Sequence, residues 1–288
     1  MDVMPKILPD EKGWYCLKGD ITPETVQALQ DVGHIEKLSI THIPLITVRH
    51  VRLLKELQSL GQLWLWCDIT RRAMRHLMEL PSLAILDILC IRGPGSLGNF
   101  EKARTLEVFR ANHCLNETDV IQIAKCKSIK TLGIQNALLT DASLAAILGL
   151  PYLESLDIEA TRFDDKMARA LSRSCALSSL DIGATKISVN GLKHIVSMKS
   201  LRSLDFWETR LNEDELGLLS ELPNLEYLSI GNIEGNTEGC PALDIDRILP
   251  LLLGLPSLKR IWLDGIKCNP EHQKILETKF DSVRIHYD

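Results

Sequence analysis

The sequence predicts an α/β repeat fold of about twelve units, each a short strand followed by a turn and a short helix. Three observations carry that prediction. Leucine is in large excess, 49 of 288 residues, more than an ordinary domain needs to fill its core. An L-x-x-L-x-I triad recurs every 24 residues, in Leu153/Leu156/Ile158, Leu177/Leu180/Ile182, Leu201/Leu204/Phe206 and Leu225/Leu228/Ile230. Helix-cap residues follow the strands, and Leu-Pro dipeptides mark several of the helix ends. A repeat of this kind lets a chain grow past the roughly 250–300 residues at which a single core stops growing.

Looser triads extend the register in both directions. They are Ile35/Leu38/Ile40, Leu60/Leu63/Leu65, Leu83/Leu86/Ile88, Ala103/Leu106/Val108, Ile129/Leu132/Ile134 and Leu258/Ile261/Leu263. Partial units close the ends, with Trp14 and Cys16 pointing inward at the start and Phe280/Val283/Ile285 at the finish. Alternation of apolar and polar residues marks each triad as a strand with one buried face. A helix start follows: in Thr22-Pro23-Glu24, Thr22 caps, Pro23 fits the first helical position and Glu24 complements the dipole. Asn116, Thr140, Asp164, Ser188 and Asn212 occupy the same place later. Leu80-Pro81, Leu150-Pro151, Leu222-Pro223 and Leu255-Pro256 end helices, because proline cannot continue one.

Leu177 to Ile195, with Thr185 at the turn, is the clearest copy of the pattern L-x-x-L-x-L-x-x-T-x-I-x-x-x-x-L. From Trp14 to Ile285 the chain resembles the leucine-rich repeat family, in the 24-residue subtype of many bacterial and plant intracellular proteins, with a ribonuclease-inhibitor-like architecture. The resemblance implies an α/β leucine-rich-repeat solenoid, a horseshoe with a parallel β-sheet on the concave face and short helices on the convex face. It implies no particular activity. The expected organisation is an N-terminal extension over 1–13 and a single solenoid over 14–288. Two units depart from the period. The step from Leu86 to Leu106 is 20 residues, leaving a short helixless unit near 86–105, and the step from Leu228 to Ile261 is 33, leaving a loop insertion near 231–245.

Composition excludes several classes. A net charge of −5 and a pI near 5.9 give no general attraction to nucleic acid or to an anionic membrane surface. The longest apolar run, Ile248 to Leu255, is interrupted by Pro250 and Gly254 and falls short of a bilayer span. Eight cysteines are scattered without a C-x-x-C pair or disulfide-like clustering, and no apolar signal core precedes Gly13, so the expected location is the cytoplasm. Cys16 and Cys126 are expected as small core fillers. Gly93-Pro94-Gly95-Ser96-Leu97-Gly98 matches G-x-G-x-x-G, but too few residues follow for the helix that would hold a pyrophosphate, and a turn is the expectation. The histidines and cysteines lack metal-ligand spacing, and nothing places a Ser/His/Asp or Cys/His set. No catalytic residue, metal or cofactor is therefore expected, and a monomer is favoured.

The informative residues are those pointing away from the core. Strand neighbours alternate faces, so residues flanking the inward positions form two columns on the concave sheet. These columns carry Trp64, Trp66, Trp207 and Trp262, together with Phe109 and the acids Asp87, Glu107, Asp157, Glu159, Asp181, Asp205 and Asp264; Glu208 extends the same surface. Aspartates at adjacent strands stand about 5 Å apart and repel. Tryptophans are over-represented at interface hot spots, and an acidic field selects basic partners. The expected function is a non-enzymatic protein-binding module that takes a basic protein on its concave face, in its specific form an inhibitor or immunity protein of a toxin or nuclease. The alternatives are an adaptor or effector that recruits a client to a ubiquitin-ligase or signalling assembly, and a hydrolase with a site on the sheet.

Overall fold

The computed structural model describes residues 8–173, 177–231 and 242–286. Most of the 231–245 insertion lies outside them, as do residues 1–7 of the N-terminal extension, Cys175 and Cys240. The chain divides into two compact units, Met1–Ala137 with Ala145–Tyr152, and Leu138–Leu144 with Leu153–Asp288.

The first unit contains strands β1 (Trp14–Lys18), β2 (Lys37–Ile46), β3 (Gln62–Thr70), β4 (Ile85–Arg92), β5 (Val108–His113) and β6 (Thr131–Gly133). Helices α1 (Pro23–Val32), α2 (Val48–Leu54), α3 (Arg71–Leu77) and α4 (Glu117–Ile123) follow β1, β2, β3 and β5, and α5 (Asp141–Leu148) follows β6. The second unit contains β7 (Ser155–Asp157), β8 (Ser179–Asp181), β9 (Ser203–Asp205), β10 (Tyr227–Gly231), β11 (Arg260–Asp264) and β12 (Ser282–His286). Its helices are α6 (Asp165–Leu171), α7 (Val189–Ile195), α8 (Glu213–Leu216), α9 (Ile245–Leu253) and α10 (Pro270–Lys279). Within each unit the strands lie in chain order, and their pairings are parallel. This is an α/β leucine-rich-repeat solenoid.

The repeat drives the fold through burial. Leu38, Leu63, Leu86, Leu132 and Leu156, Leu180, Leu204, Leu228 stack as inward residues of successive strands and are at most 1% exposed. Each such side chain contributes about 1.5–3 kcal/mol relative to exposure. Caps hold the helix starts: the side chains of Thr22, Asn116, Asp164, Ser188 and Asn212 each accept a backbone N–H from the first turn. Thr161, Thr185 and Thr209 are buried at the turn after β7, β8 and β9, and each hydroxyl donates to the carbonyl three residues before it. That bond explains threonine at the turn position of the repeat.

The register differs from the sequence expectation in two places. In β5 the inward residues are Phe109 and Ala111, both 0% exposed, and Phe109 pairs with Leu86 on one side and Leu132 on the other. The step from Leu86 to Phe109 is therefore 23 residues, not 20 to Leu106. Leu106 is buried too, which is why its leucine looked like the middle of the triad when it is the first. Between β4 and β5 the described chain holds a 3-10 turn, Phe100–Lys102, and no α-helix. In β1, Tyr15 pairs with Leu38 and Leu17 with Ile40, so Trp14 and Cys16 take the opposite face. Cys16 is exposed rather than a core filler, because a slip of one residue turns every strand side chain over.

Two covalent or ionic links bridge the unit that has no α-helix. Arg71, at the start of α3, donates to the Gly93 carbonyl at 2.9 Å and pairs with Asp119 in the first turn of α4. Both side chains are almost fully buried. Cys90 and Cys114 are joined in a disulfide with Cα atoms 5.9 Å apart, contrary to the expectation of unpaired cysteines. Their 24-residue separation is one repeat, so the parallel stacking of β4 and β5 brings the two together even though their spacing looks scattered along the chain. Gly93–Gly98 forms bends and loop, with no helix N-terminus to receive a phosphate.

Candidate functional site

The second unit gathers most of the acidic residues expected at the site. Pairing of β7, β8 and β9 places Asp157, Asp181 and Asp205 side by side. Each carboxylate accepts an N–H from two residues further on: Asp157 from Glu159 at 3.1 Å, Asp181 from Gly183 at 2.9 Å and Asp205 from Trp207 at 3.5 Å. The aspartate ladder thus has a local role in shaping the turn after each strand, which the sequence expectation did not assign to it. Glu159 has no such counterpart in the neighbouring units, where Gly183 and Trp207 stand in its place. Asp157, Glu159 and Asp181 each bring one carboxylate oxygen to within 4.8 Å of the others, a spacing also met in clusters that bind no ion.

These acids border a cavity of about 280 Å³ lined by Glu159, Asp181, Asp205, Trp207, Ser229, Trp262 and Asp264. Trp207 reaches it by lying over Gly183: a Cβ there would sit 2.4 Å from the indole Nε1. Trp262 forms the opposite kind of contact, with the Arg284 guanidinium 4.7 Å from its ring centre. Among the described residues, the Trp262 indole N–H is the buried side-chain donor that lacks a hydrogen-bond partner. Asp264 meets His286 at 3.0 Å. Glu208 takes a left-handed turn conformation and is 5% exposed, so it adds charge beneath the surface rather than extending it.

Burial and mutual repulsion raise the carboxyls of this cluster. Burial raises the Glu159 carboxyl to about 7, with Asp157, Asp205 and Glu208 adding repulsion. Asp181 and Asp205 are also pushed well above the usual carboxylate range, first by burial. Repulsion from Asp205 and Asp157 then pushes Asp181 further, while Ser229 and the Trp207 N–H hold Asp205 back. Among the described residues no lysine or arginine forms an ion pair with Asp181 or Asp205.

The first unit places its expected residues differently. Asp87 pairs in register with Arg110, which offsets part of the burial that raises its carboxyl. Trp14 lies against Trp64 with ring centres 4.0 Å apart, on the same sheet face, and is itself buried. Trp66 is 59% exposed, and a small cavity joins Trp64, Trp66, Asp87 and Leu89. In the first unit Trp14, Trp64 and Trp66 share a sheet face, and in the second Trp207 and Trp262 line one cavity. Phe109 does not: it is core, in edge-to-face contact with Phe100. Glu107 precedes β5 and pairs with Lys130 at 2.9 Å, outside the strand columns. Gly183 and Ser229 are the site residues not anticipated. A signal for Gly183 was present, since it stands one repeat before Trp207 in the same column.

No protein-family model matches the chain. No curated protein matches it either. Among solved structures, the chain is similar to an internalin (inlF) from Listeria monocytogenes, with a TM-score of 0.52 and 16% identity, over 96% of this chain and 87% of that one. It also matches the TLR13–ssRNA13 complex, with a TM-score of 0.49 and 17% identity, over 94% of this chain and 46% of that one. At such identities the internalin likeness concerns the fold, which is that of leucine-rich-repeat proteins. No described helix is long and apolar enough to cross a membrane.

Proposed function

We propose that the chain is a non-enzymatic protein-binding module whose open sheet face takes a basic partner protein. The observation that carries this reading is the convergence of Glu159, Asp181 and Asp205 with Trp207 and Trp262 around one cavity. Buried like charges destabilise a fold, and a basic partner would relieve them while the indoles supply contact area. An inhibitor or immunity protein that fills the cleft of a basic toxin or nuclease is the specific form of this function that such a surface suits. With Cys90 and Cys114 joined, an oxidising compartment suits the chain better than the reducing cytoplasm that the cysteine spacing suggested.

The test compares wild type with an Asp157→Lys/Asp181→Lys/Asp205→Lys variant that keeps its circular dichroism. Each is titrated at low and at physiological salt with an arginine-rich and a lysine-rich 20-residue peptide, and with an acidic peptide of equal length. Wild type is expected to bind the basic peptides with strong salt dependence, and the variant to lose at least about a hundredfold in affinity. Equal binding by the folded variant refutes the reading.

A further inference from the structure

Resting on that basic-partner reading, the geometry points to a narrower occupant: the cavity of the second unit is a receptor for one guanidinium, the side chain of an arginine projecting from the partner. Its volume, about 280 Å³, lies at the lower edge of the roughly 300–1,000 Å³ of small-molecule pockets, which suits a single long side chain. Its walls are of two kinds. Glu159, Asp181, Asp205 and Asp264 supply carboxylates, and Trp207 and Trp262 supply indole rings. A guanidinium uses both at once, forking to carboxylate oxygens in its plane and stacking on aromatic rings through its faces. An ammonium is a compact, strongly hydrated charge that would leave more of this space unfilled.

Two features of the chain support the assignment. Arg284 already lies against the Trp262 ring, so this indole accepts a guanidinium within the fold. Gly183 removes the Cβ that would displace Trp207, and the indole is thereby seated beside Asp181 and Asp205. The groups facing the cavity are acidic on β8, β9 and β11; nearby, the Arg284 guanidinium lies against Trp262 and the His286 ring meets Asp264. Burial and mutual repulsion push the Glu159 and Asp181 carboxyls up, and an entering guanidinium would favour their ionised forms, with the protons released to solvent.

The experiment follows the five indole N–H signals of the full chain by ¹⁵N NMR, assigned with single Trp→Phe variants, during titration with acetyl-arginine-amide, acetyl-lysine-amide and acetyl-citrulline-amide. Citrulline keeps the shape of arginine and removes its charge. Acetyl-arginine-amide is expected to shift the Trp207 and Trp262 signals, with at least tenfold weaker binding for the other two. Gly183→Ala, which changes no charge, and Asp181→Asn should each weaken arginine binding at least fivefold. Calcium and magnesium are titrated separately, because Asp157, Glu159 and Asp181 could gather a divalent ion. The proposal is overturned if citrulline or lysine matches arginine, if only the Trp64 and Trp66 signals move, or if the divalent ions displace arginine at concentrations below its own. The 20-residue peptides separate this failure from that of the broader reading. If the lysine-rich peptide binds as tightly as the arginine-rich one and Gly183→Ala changes neither, while the triple lysine variant abolishes both, the basic face stands and the arginine receptor falls.

Discussion

The two units use the same repeat, and both pair acids with cations, as Arg202 with Glu226 and Arg247 with Glu213 in the second, but the acids along their strands differ. In the first unit acids meet cations: Asp119 pairs with Arg71 in the interior, Glu107 with Lys130 at the surface, and Asp87 faces Arg110 across the sheet. In the second, Asp157, Asp181 and Asp205 stand beside one another with Glu159 among them. The strands differ in the same sense. β2, β3 and β4 run for 10, 9 and 8 residues, whereas β7, β8 and β9 run for three. A short strand ends its ladder early, so the turn that follows needs side-chain acceptors, and the aspartates serve that need. Asp157 and Asp181 each shape the turn after their own strand and also stand in one acidic cluster with Glu159.

The largest expected effect tests the first unit. Asp119→Ala would leave the Arg71 guanidinium buried without its partner and remove a capping bond to Asn116, a loss of about 3–5 kcal/mol. Urea denaturation would measure it, and a change below about 1 kcal/mol would mean that water reaches Arg71. Next comes the link between β4 and β5. Closing a 24-residue separation is worth about 3 kcal/mol in the loop-entropy account, so Cys90→Ser should lower stability by that order. Peptide mapping without reductant should recover Cys90 bound to Cys114; finding both thiols alkylated in the oxidised protein would remove the bond from the account.

The smallest effect belongs to the acidic cluster of the second unit and carries a sign. Folding raises Glu159, Asp181 and Asp205 above their unfolded range near 4. The stability linked to these protons is fully present below that range and is lost as pH rises through the folded values, about 7 for Glu159 and higher for Asp181. Wild type should therefore lose stability between pH 5 and 9, and Asp181→Asn should flatten that slope and gain on the order of 1 kcal/mol at pH 8. A stability that climbs over this interval would show the ladder to be attractive rather than repulsive, and would dissolve the contrast between the units.

Much of this molecule was legible from periodicity. The strand positions from Leu132 to Leu228, the caps at Thr22, Asn116, Asp164, Ser188 and Asn212, and the outward placement of Trp64, Trp66, Trp207 and Trp262 follow from a period of 24 and the alternation of strand faces. The errors fell where leucine was ambiguous or absent. Near Leu106 two registers both present apolar residues, and only pairing of Phe109 with Leu86 and Leu132 decides between them. At the first strand Trp14 is apolar enough for either face, and its stack on Trp64 decides it.

A repeat makes local sequence sufficient for the backbone, because each unit meets neighbours like itself and burial of one leucine face is the same problem solved many times. It cannot say what the exposed columns do, since those side chains meet residues one or more repeats away at distances set by packing. The cavity beneath Trp207, the crowding of Glu159 with Asp157 and Asp181, and the joining of Cys90 to Cys114 each depend on side chains about one repeat apart coming together. Stacking of the strands brings them there.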